Sequence, residues 1–321
     1  MLGALANPEG NGLLPAWTYT ELIQAAFRPE YWSAPDAVNG YSQMESNFGL
    51  FWGLSIQAYE ATLIADDSRV DQFLEGRTAA LSTLEQQGLR EFQAGGSQCN
   101  NCHNGPELTA AGITNFRRRN GIINNAGDAG FFRIGVTPIA GDTGLGGLDG
   151  FGLPLLPQVT NGSANGTFKA PALRNVELTG PYFHDGGQAT LEQVLAFYAR
   201  NGDFPAGGNL GPGIGNIRLT QPERDSIVAF LKALTDDRVR FQKAPFDHPS
   251  LCVPNGHVEL SPGQLAADAA QDGLVALDKW ALVAHVGAAG AGVPLQTFEE
   301  LLAGIGNDGS RANTMTTACV P

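Results

Sequence analysis

Apolar residues recur at three- and four-residue spacing through Phe48, Leu50, Phe51, Leu54, Ile56, Tyr59 and Leu63. This rhythm predicts a long, largely buried helix over about residues 41–65, stopped by Asp66-Asp67-Ser68. Three capping-box patterns mark further helix starts. Ser82-Thr83-Leu84-Glu85 opens a helix to about Phe92, ended by Gly95-Gly96. Thr190-Leu191-Glu192-Gln193 opens one to about Arg200, and Thr220-Gln221-Pro222-Glu223, with Pro in its first turn, opens one to about Leu234. In each, the Ser or Thr side chain is placed to accept from the third helical N–H while the Glu or Gln reaches back. Shorter helices are expected over residues 18–27 and 296–303.

Between residues 104 and 168 the periodicity fades. Runs such as Gly141-Asp142-Thr143-Gly144-Leu145-Gly146-Gly147 take its place, which predicts functional loops or short strands. Residues 207–215 read as another loop. After residue 236 the chain turns Pro-rich and then Ala/Gly-rich. The division expected is an N-terminal segment 1–40 (the remnant of a preceding domain), a domain 41–236 and a C-terminal extension 237–321, with no internal repeat.

Composition narrows the function class. The 321 residues hold 32 acidic and 19 basic side chains, a net charge of −13. Nucleic acid and anionic membrane are therefore excluded as main partners, since phosphate binding needs a basic face; the one basic run, Arg117-Arg118-Arg119, is too short to reverse this. Charged residues are 16% of the chain, against about 25% in an ordinary globular domain. Gly (42) and Pro (19) are abundant, but 43% hydrophobic content argues against wholesale disorder. No apolar run reaches the ~18 residues of a membrane span, and the first residues lack a basic n-region and an apolar h-region.

Four cysteines are present. Cys99-Asn100-Asn101-Cys102-His103 is C-x-x-C-H, the attachment signature of a c-type haem. Two thiols three residues apart reach the two vinyl groups of one porphyrin as thioethers, and the next residue places an imidazole beneath the iron. A thioredoxin-like pair does not need the His, and a zinc site needs two further ligands that no second Cys pair supplies. One covalent haem, with His103 as proximal ligand, is the reading. The sixth iron position stays open among His184, His248, His257, His285, Met44, Met315 and the tyrosines.

The strings Cys99 to Thr109, Phe168-Lys169-Ala170-Pro171-Ala172-Leu173-Arg174-Asn175-Val176 and Leu178-Thr179-Gly180-Pro181-Tyr182-Phe183-His184-Asp185-Gly186-Gly187, followed by Thr190-Leu191-Glu192-Gln193-Val194, resemble the bacterial dihaem cytochrome c peroxidase and MauG family. The likeness covers about residues 40–236 and is to that family's C-terminal haem domain. It implies a mainly α, cytochrome-c-like haem domain with long irregular loops, here with a C-terminal extension. It also implies a peroxidase-type oxidoreductase with hydrogen peroxide as acceptor, in the periplasm or otherwise outside the cytoplasm. In the family's peroxidases a Met lies fourteen residues beyond the His of P-Y-F-H-D-G and ligates the haem. Here that position is Tyr198, which follows MauG instead.

A thioether favours Fe(II), whereas a phenolate favours Fe(III) or higher. A His103/Tyr198 haem would therefore suit sharing oxidising equivalents. The resemblance further implies His184 near the haem, on the route between haems. Lys169 and Arg174 are expected either to neutralise haem propionates by charge-assisted hydrogen bonds or to pair with nearby carboxylates. Thr179 and Pro181 match positions whose carbonyls help hold calcium. Cys252 and Cys319 are expected to pair, because such haem is attached in an oxidising compartment. The chain has one C-x-x-C-H where the family has two. The expectation is a C-terminal portion of a longer secreted precursor, working with an N-terminal haem domain or a redox partner protein. The alternatives are a mono-haem electron-transfer cytochrome without its own catalysis, and a structural protein whose tail from residue 236 binds a partner.

Overall fold

A computed structural model describes residues 14, 17–35, 38–112, 114, 130–148, 150–153, 155, 165–208, 210–211, 213–257 and 278–303. In chain order the helices are α1 (Tyr19–Ala26), α2 (Gln43–Ser46), α3 (Phe48–Glu60), α4 (Arg69–Leu74), α5 (Thr83–Gln93), α6 (Leu191–Ala199), α7 (Gln221–Ala233), α8 (Asp237–Arg240) and α9 (Phe298–Leu302). The strands are β1 (Phe131–Phe132), β2 (Phe168–Lys169), β3 (Leu251–His257) and β4 (Asp278–Val283), forming two antiparallel pairs, β1–β2 and β3–β4. The described residues are mostly helix and irregular loop, in agreement with a mainly α domain. None of the helices among them is long and apolar enough to cross a membrane.

The chain forms two compact units. One is Ala65–Arg240 with Leu295–Ile305; the described parts of the other lie within Met1–Ile64 and Phe241–Pro294. The boundaries expected at 40/41 and 236/237 differ from those of these two units. Residues 41–64 group with the N-terminal segment, and α9 returns to the first unit.

In that first unit α5 and α7 pack directly on each other. Ser82 caps α5 with a reciprocal box: its backbone N–H donates to Glu85 at 2.8 Å and its hydroxyl accepts from the Glu85 N–H at 3.3 Å. Thr220 binds Glu223 in the same manner ahead of α7, its N–H donating at 2.6 Å. The helices meet at Gly88, where any Cβ would collide with the backbone carbonyl of Ser226. Phe92 and Phe230 pack beside this crossing with their rings tilted by 51° and centroids 5.1 Å apart. Around them Leu81, Leu191, Leu195, Ile227 and Leu231 form one buried core.

Two local expectations are corrected. The helix over residues 41–65 is broken into α2 and α3, and only Phe51 is buried on α3; Leu50, Trp52, Leu54, Ile56 and Tyr59 are 40–51% exposed. Apolar side chains lie all round α3, so spacing alone did not define a covered face. The box at Thr190 is half-formed. Thr190 accepts from the Gln193 N–H at 3.2 Å, but the Gln193 side chain accepts from Ala189 one residue earlier.

Candidate functional site

The Cys99–His103 segment begins where α5 has ended. Gln98 takes a left-handed conformation (φ 59°), and Cys99–Asn101 form one 3₁₀ turn. The Cys102 and His103 N–H groups both bond back to the Cys99 carbonyl, at 3.2 and 3.0 Å. The following loop folds against residues 170–171. Thr109 donates its hydroxyl to the Ala170 carbonyl at 2.5 Å, and His103 places Nδ1 3.2 Å from the Leu108 carbonyl and 3.1 Å from that of Pro171. Two carbonyls facing Nδ1 require that nitrogen to carry the proton. Nε2 is thereby left with its lone pair, the arrangement that orients and strengthens a metal-ligating histidine. Burial holds the imidazole below its usual pKa, against both carbonyls.

His103 opens onto a cavity of about 480 Å³ whose wall is continuous with the core. That volume lies within the ~300–1,000 Å³ of ordinary cofactor and ligand sites. Cys99, Cys102 and Tyr198 line it together with His103. Both cysteines are free thiols. Burial pushes Cys99 up, and burial with its neighbour pushes Cys102 up to about 11. Reactive redox pairs have lowered thiol pKa values, so this pair does not have their electrostatics.

Tyr198 is the penultimate residue of α6. Phe197 beside it is completely buried, and Tyr198 turns to the cavity wall. Burial, then the two thiols, drive its hydroxyl pKa far up. Its neighbours are rings: Phe183 at 6.1 Å and Phe197 at 5.3 Å between centroids. The hydroxyl makes no hydrogen bond to a described residue, although a buried phenol usually finds a partner. An apolar cavity with two thiols, one imidazole nitrogen and one phenol facing it fits a covalently held haem.

The other expected site residues divide. His184 lines the cavity, stacked on Phe168 at 3.7 Å and 10° between planes. Its Nε2 lies 2.5 Å from the Asp142 carboxylate, which also accepts from the Thr137 hydroxyl at 2.9 Å. Burial raises the Asp142 pKa, but the hydrogen bonds from His184 and Thr137 outweigh it and hold the carboxyl below its usual range. Lys169 is exposed on β2 at the cavity edge and makes no ion pair among the described residues. Thr179 and Pro181 line the same wall. Among the described residues no group of three or more His, Cys, Asp or Glu is arranged to hold a metal ion.

Arg174 is not in the cavity wall. Its guanidinium grips Asp71 with two bonds of 2.8 Å and donates to the carbonyls of Pro106 (2.9 Å) and Ala65 (2.8 Å). It therefore anchors the loop after His103 instead of facing an anion in the cavity. Among the remaining candidate ligands, His248 belongs to the other unit, where it bonds Gln242 and the Pro249 carbonyl. His285 is exposed there and Met44 is half-buried on α2. Tyr182 does reach the cavity wall; burial, then Glu177, raises its pKa to about 12. Cys252 is disulfide-bonded. Cys319, Met315 and Arg117–Arg119 lie outside the described residues, as does the side chain of His257.

Sequence reasoning missed Asp142, the Phe168 stack and Arg133. Asp142 sits in a Gly-rich run without periodicity, so nothing local marked it. Arg133 did carry a signal, as the lone charge in Phe131-Phe132-Arg133-Ile134-Gly135-Val136.

No protein-family model matches the chain. Among curated proteins it is 35% identical over 198 residues to a cytochrome c551 peroxidase of Nitrosomonas europaea, covering 61% of this chain and 47% of that protein. It is 32% identical over 231 residues to the cytochrome-c peroxidase IdrP1 of Denitromonas iodatirespirans, covering 66% and 56%. It is 26% identical over 180 residues to the methylamine utilization protein MauG of Methylorubrum extorquens, covering 56% and 42%. The chain thus spans about half the length of the curated relatives it matches.

Proposed function

We propose that the chain, which is similar to bacterial cytochrome c peroxidases and to MauG, is a c-type haem oxidoreductase using or relaying oxidising equivalents from hydrogen peroxide. The observation that carries this reading is the meeting of Cys99, Cys102, His103 and Tyr198 on one apolar cavity. Cys99 and Cys102 would hold the haem as thioethers, His103 Nε2 would be one iron ligand and the Tyr198 oxygen the other. Bound haem supplies one-electron redox chemistry at its iron.

The chain's own groups set the conditions for that chemistry. The carbonyls of Leu108 and Pro171 fix the His103 tautomer and leave the Nε2 lone pair free to face the cavity. The hard oxygen of Tyr198 favours the oxidised metal, as a thioether would not. The walls formed by Phe92, Leu195, Ile227 and Leu231 keep water from the cavity's inner side. Lys169 would offer a cation to the carboxylates of a bound haem, and Asp142 holds the His184 ring flat against Phe168. Work outside the cytoplasm, where c-type haem is attached, is part of the proposal, as is a protein redox partner.

The same C-x-x-C-H and cavity would also serve a second reading, a mono-haem electron-transfer cytochrome without catalysis of its own. Co-expression behind a periplasmic signal with c-type haem maturation machinery separates the two. Covalent haem whose absorption shifts rapidly on adding peroxide supports the peroxidase-type reading. Covalent haem that ignores peroxide supports the relay, and absence of covalent haem refutes both.

A further inference from the structure

Arg133 is 1% exposed, yet it makes no ion pair with any described carboxylate. Its neighbours Phe132 and Ile134 line the cavity, and Arg133 leaves the opposite side of that extended segment. There its guanidinium takes hold of one loop. Nη1 donates to the Gly208 carbonyl at 2.6 Å, and Nη2 donates to the carbonyls of Phe204 and Ala206, both at 2.7 Å. Nε–H, buried, has no acceptor. The backbone of the same segment adds three bonds. The Arg133 carbonyl accepts from Gly211 at 2.8 Å, and the Gly135 carbonyl accepts from Asp203 (3.0 Å) and Phe204 (2.9 Å).

The clamped loop is the direct continuation of the helix that carries Tyr198. After α6 the chain turns at Asn201 (φ 69°), whose N–H bonds the Tyr198 carbonyl at 3.0 Å, while the Gly202 N–H bonds that of Phe197 at 3.1 Å. Gly202 then passes so close to the Ile134 carbonyl that a Cβ would lie 2.6 Å from it. Phe204, the first carbonyl Arg133 holds, comes only six residues after Tyr198. The loop begins at the Arg200–Asp203 ion pair (2.5 Å) and beyond it is poor in its own constraints. Pro205 has no N–H, and Gly207 and Gly208 are in left-handed conformations (φ 100° and 74°).

A buried guanidinium without a counter-charge is expensive, and stability alone would favour an apolar side chain of similar volume. What arginine uniquely supplies is a rigid fork that satisfies three carbonyls at once. We propose that Arg133 is a positioning residue for Tyr198: by locking residues 204–208 it fixes the end of α6 and so where the phenol stands at the cavity wall. This rests on the reading of Tyr198 as an iron ligand.

The test uses the haem-loaded protein with R133M, R133K and Y198F, and two measurements. The first is the ligand-field bands of the ferric protein. The second is hydrogen exchange of the Asp203, Phe204 and Gly211 amides, which needs no assumption about the iron. R133M is expected to speed exchange at those three amides by on the order of tenfold or more, with the amides of α7 unchanged. It is also expected to move the bands in the direction of Y198F, with no further change when combined with Y198F. R133K, which brings one ammonium to three carbonyls, should fall between. Folded R133M with wild-type exchange and wild-type bands overturns the proposal. If Y198F itself leaves the bands unmoved, ligation by Tyr198 fails, while the exchange of the loop still decides whether Arg133 clamps it. If R133M does not fold, R133K decides on the same two readouts, and wild-type values in both overturn the proposal.

Discussion

His103 and Tyr198 line one cavity, but the chain holds them by different means. His103 is held through its own ring, with Nδ1 between the carbonyls of Leu108 and Pro171, on a loop that Arg174 ties to Asp71. Leu108 is five residues away, so half of that setting is local. Tyr198 has no such bond on its hydroxyl. Its position comes from the helix beneath it, from packing against Phe183 and Phe197, and from a Gly-rich loop gripped by a residue more than sixty positions earlier. A histidine bonded through its own ring is over-determined by short contacts. A tyrosine at a helix end depends on whatever holds that end. The first arrangement survives as a motif in sequence, whereas the second has no motif.

The comparison breaks most completely at the anchors. Cys99→Ser with Cys102→Ser should abolish covalent haem. Haem staining retained on a denaturing gel would refute the attachment and the role given to His103 with it. Next in size is the support common to both neighbourhoods. Gly88→Ala puts a methyl group into the Ser226 backbone, and the cost should be at least 1–3 kcal/mol, about the usual penalty of overpacking. It is read as a lowered denaturation midpoint. An unchanged midpoint would mean that α5 and α7 slide apart without penalty.

The His103 neighbourhood alone is tested at Asp71. Burial raises the Asp71 pKa, but the bonds from Arg174 and Ser68 outweigh it and hold the carboxyl below its ordinary value of 3.8. Its folded pKa is thus below its unfolded one. The stability it contributes is present above the unfolded value and is lost as pH falls through the folded one. The melting temperature should therefore drop as pH falls below about 4. Asp71→Asn should cost roughly 1.5–3 kcal/mol at neutral pH, the size of hydrogen bonds to a charged partner, and should flatten that acid dependence. A variant as acid-sensitive as the parent would assign the effect to other carboxylates, such as Asp236 beside Arg238.

The smallest effect is expected at the start of the Tyr198 helix. Thr190→Ala removes the acceptor of the Gln193 N–H and should cost about 1 kcal/mol in thermal unfolding. It should leave the His103 loop's amide exchange untouched, which separates the two neighbourhoods directly.

Much of the helical frame was legible because its signals act within three or four residues. Ser82–Glu85 and Thr220–Glu223 close their boxes as written, and α1 begins at Thr18 in the same way. Thr190 shows the limit even there, since Gln193 found a nearer N–H. Apolar spacing misled over α3, because a row of large apolar residues does not say whether a surface covers it. Of the two partners open to Arg174, haem propionates and nearby carboxylates, the fold supplied a carboxylate, Asp71, and Arg133, unremarked in the chain, lies just behind the cavity wall.

The sequence by itself determined the C-x-x-C-H motif and the helix starts, because that motif and the capping boxes are complete within a few consecutive residues. The tertiary structure alone decided which aromatic residues face the cavity, which arginine braces it, and that His184 is held by Asp142, 42 positions away. Those contacts join segments separated by long loops. Their partners are chosen by how the core closes, and no short stretch of chain encodes that closure.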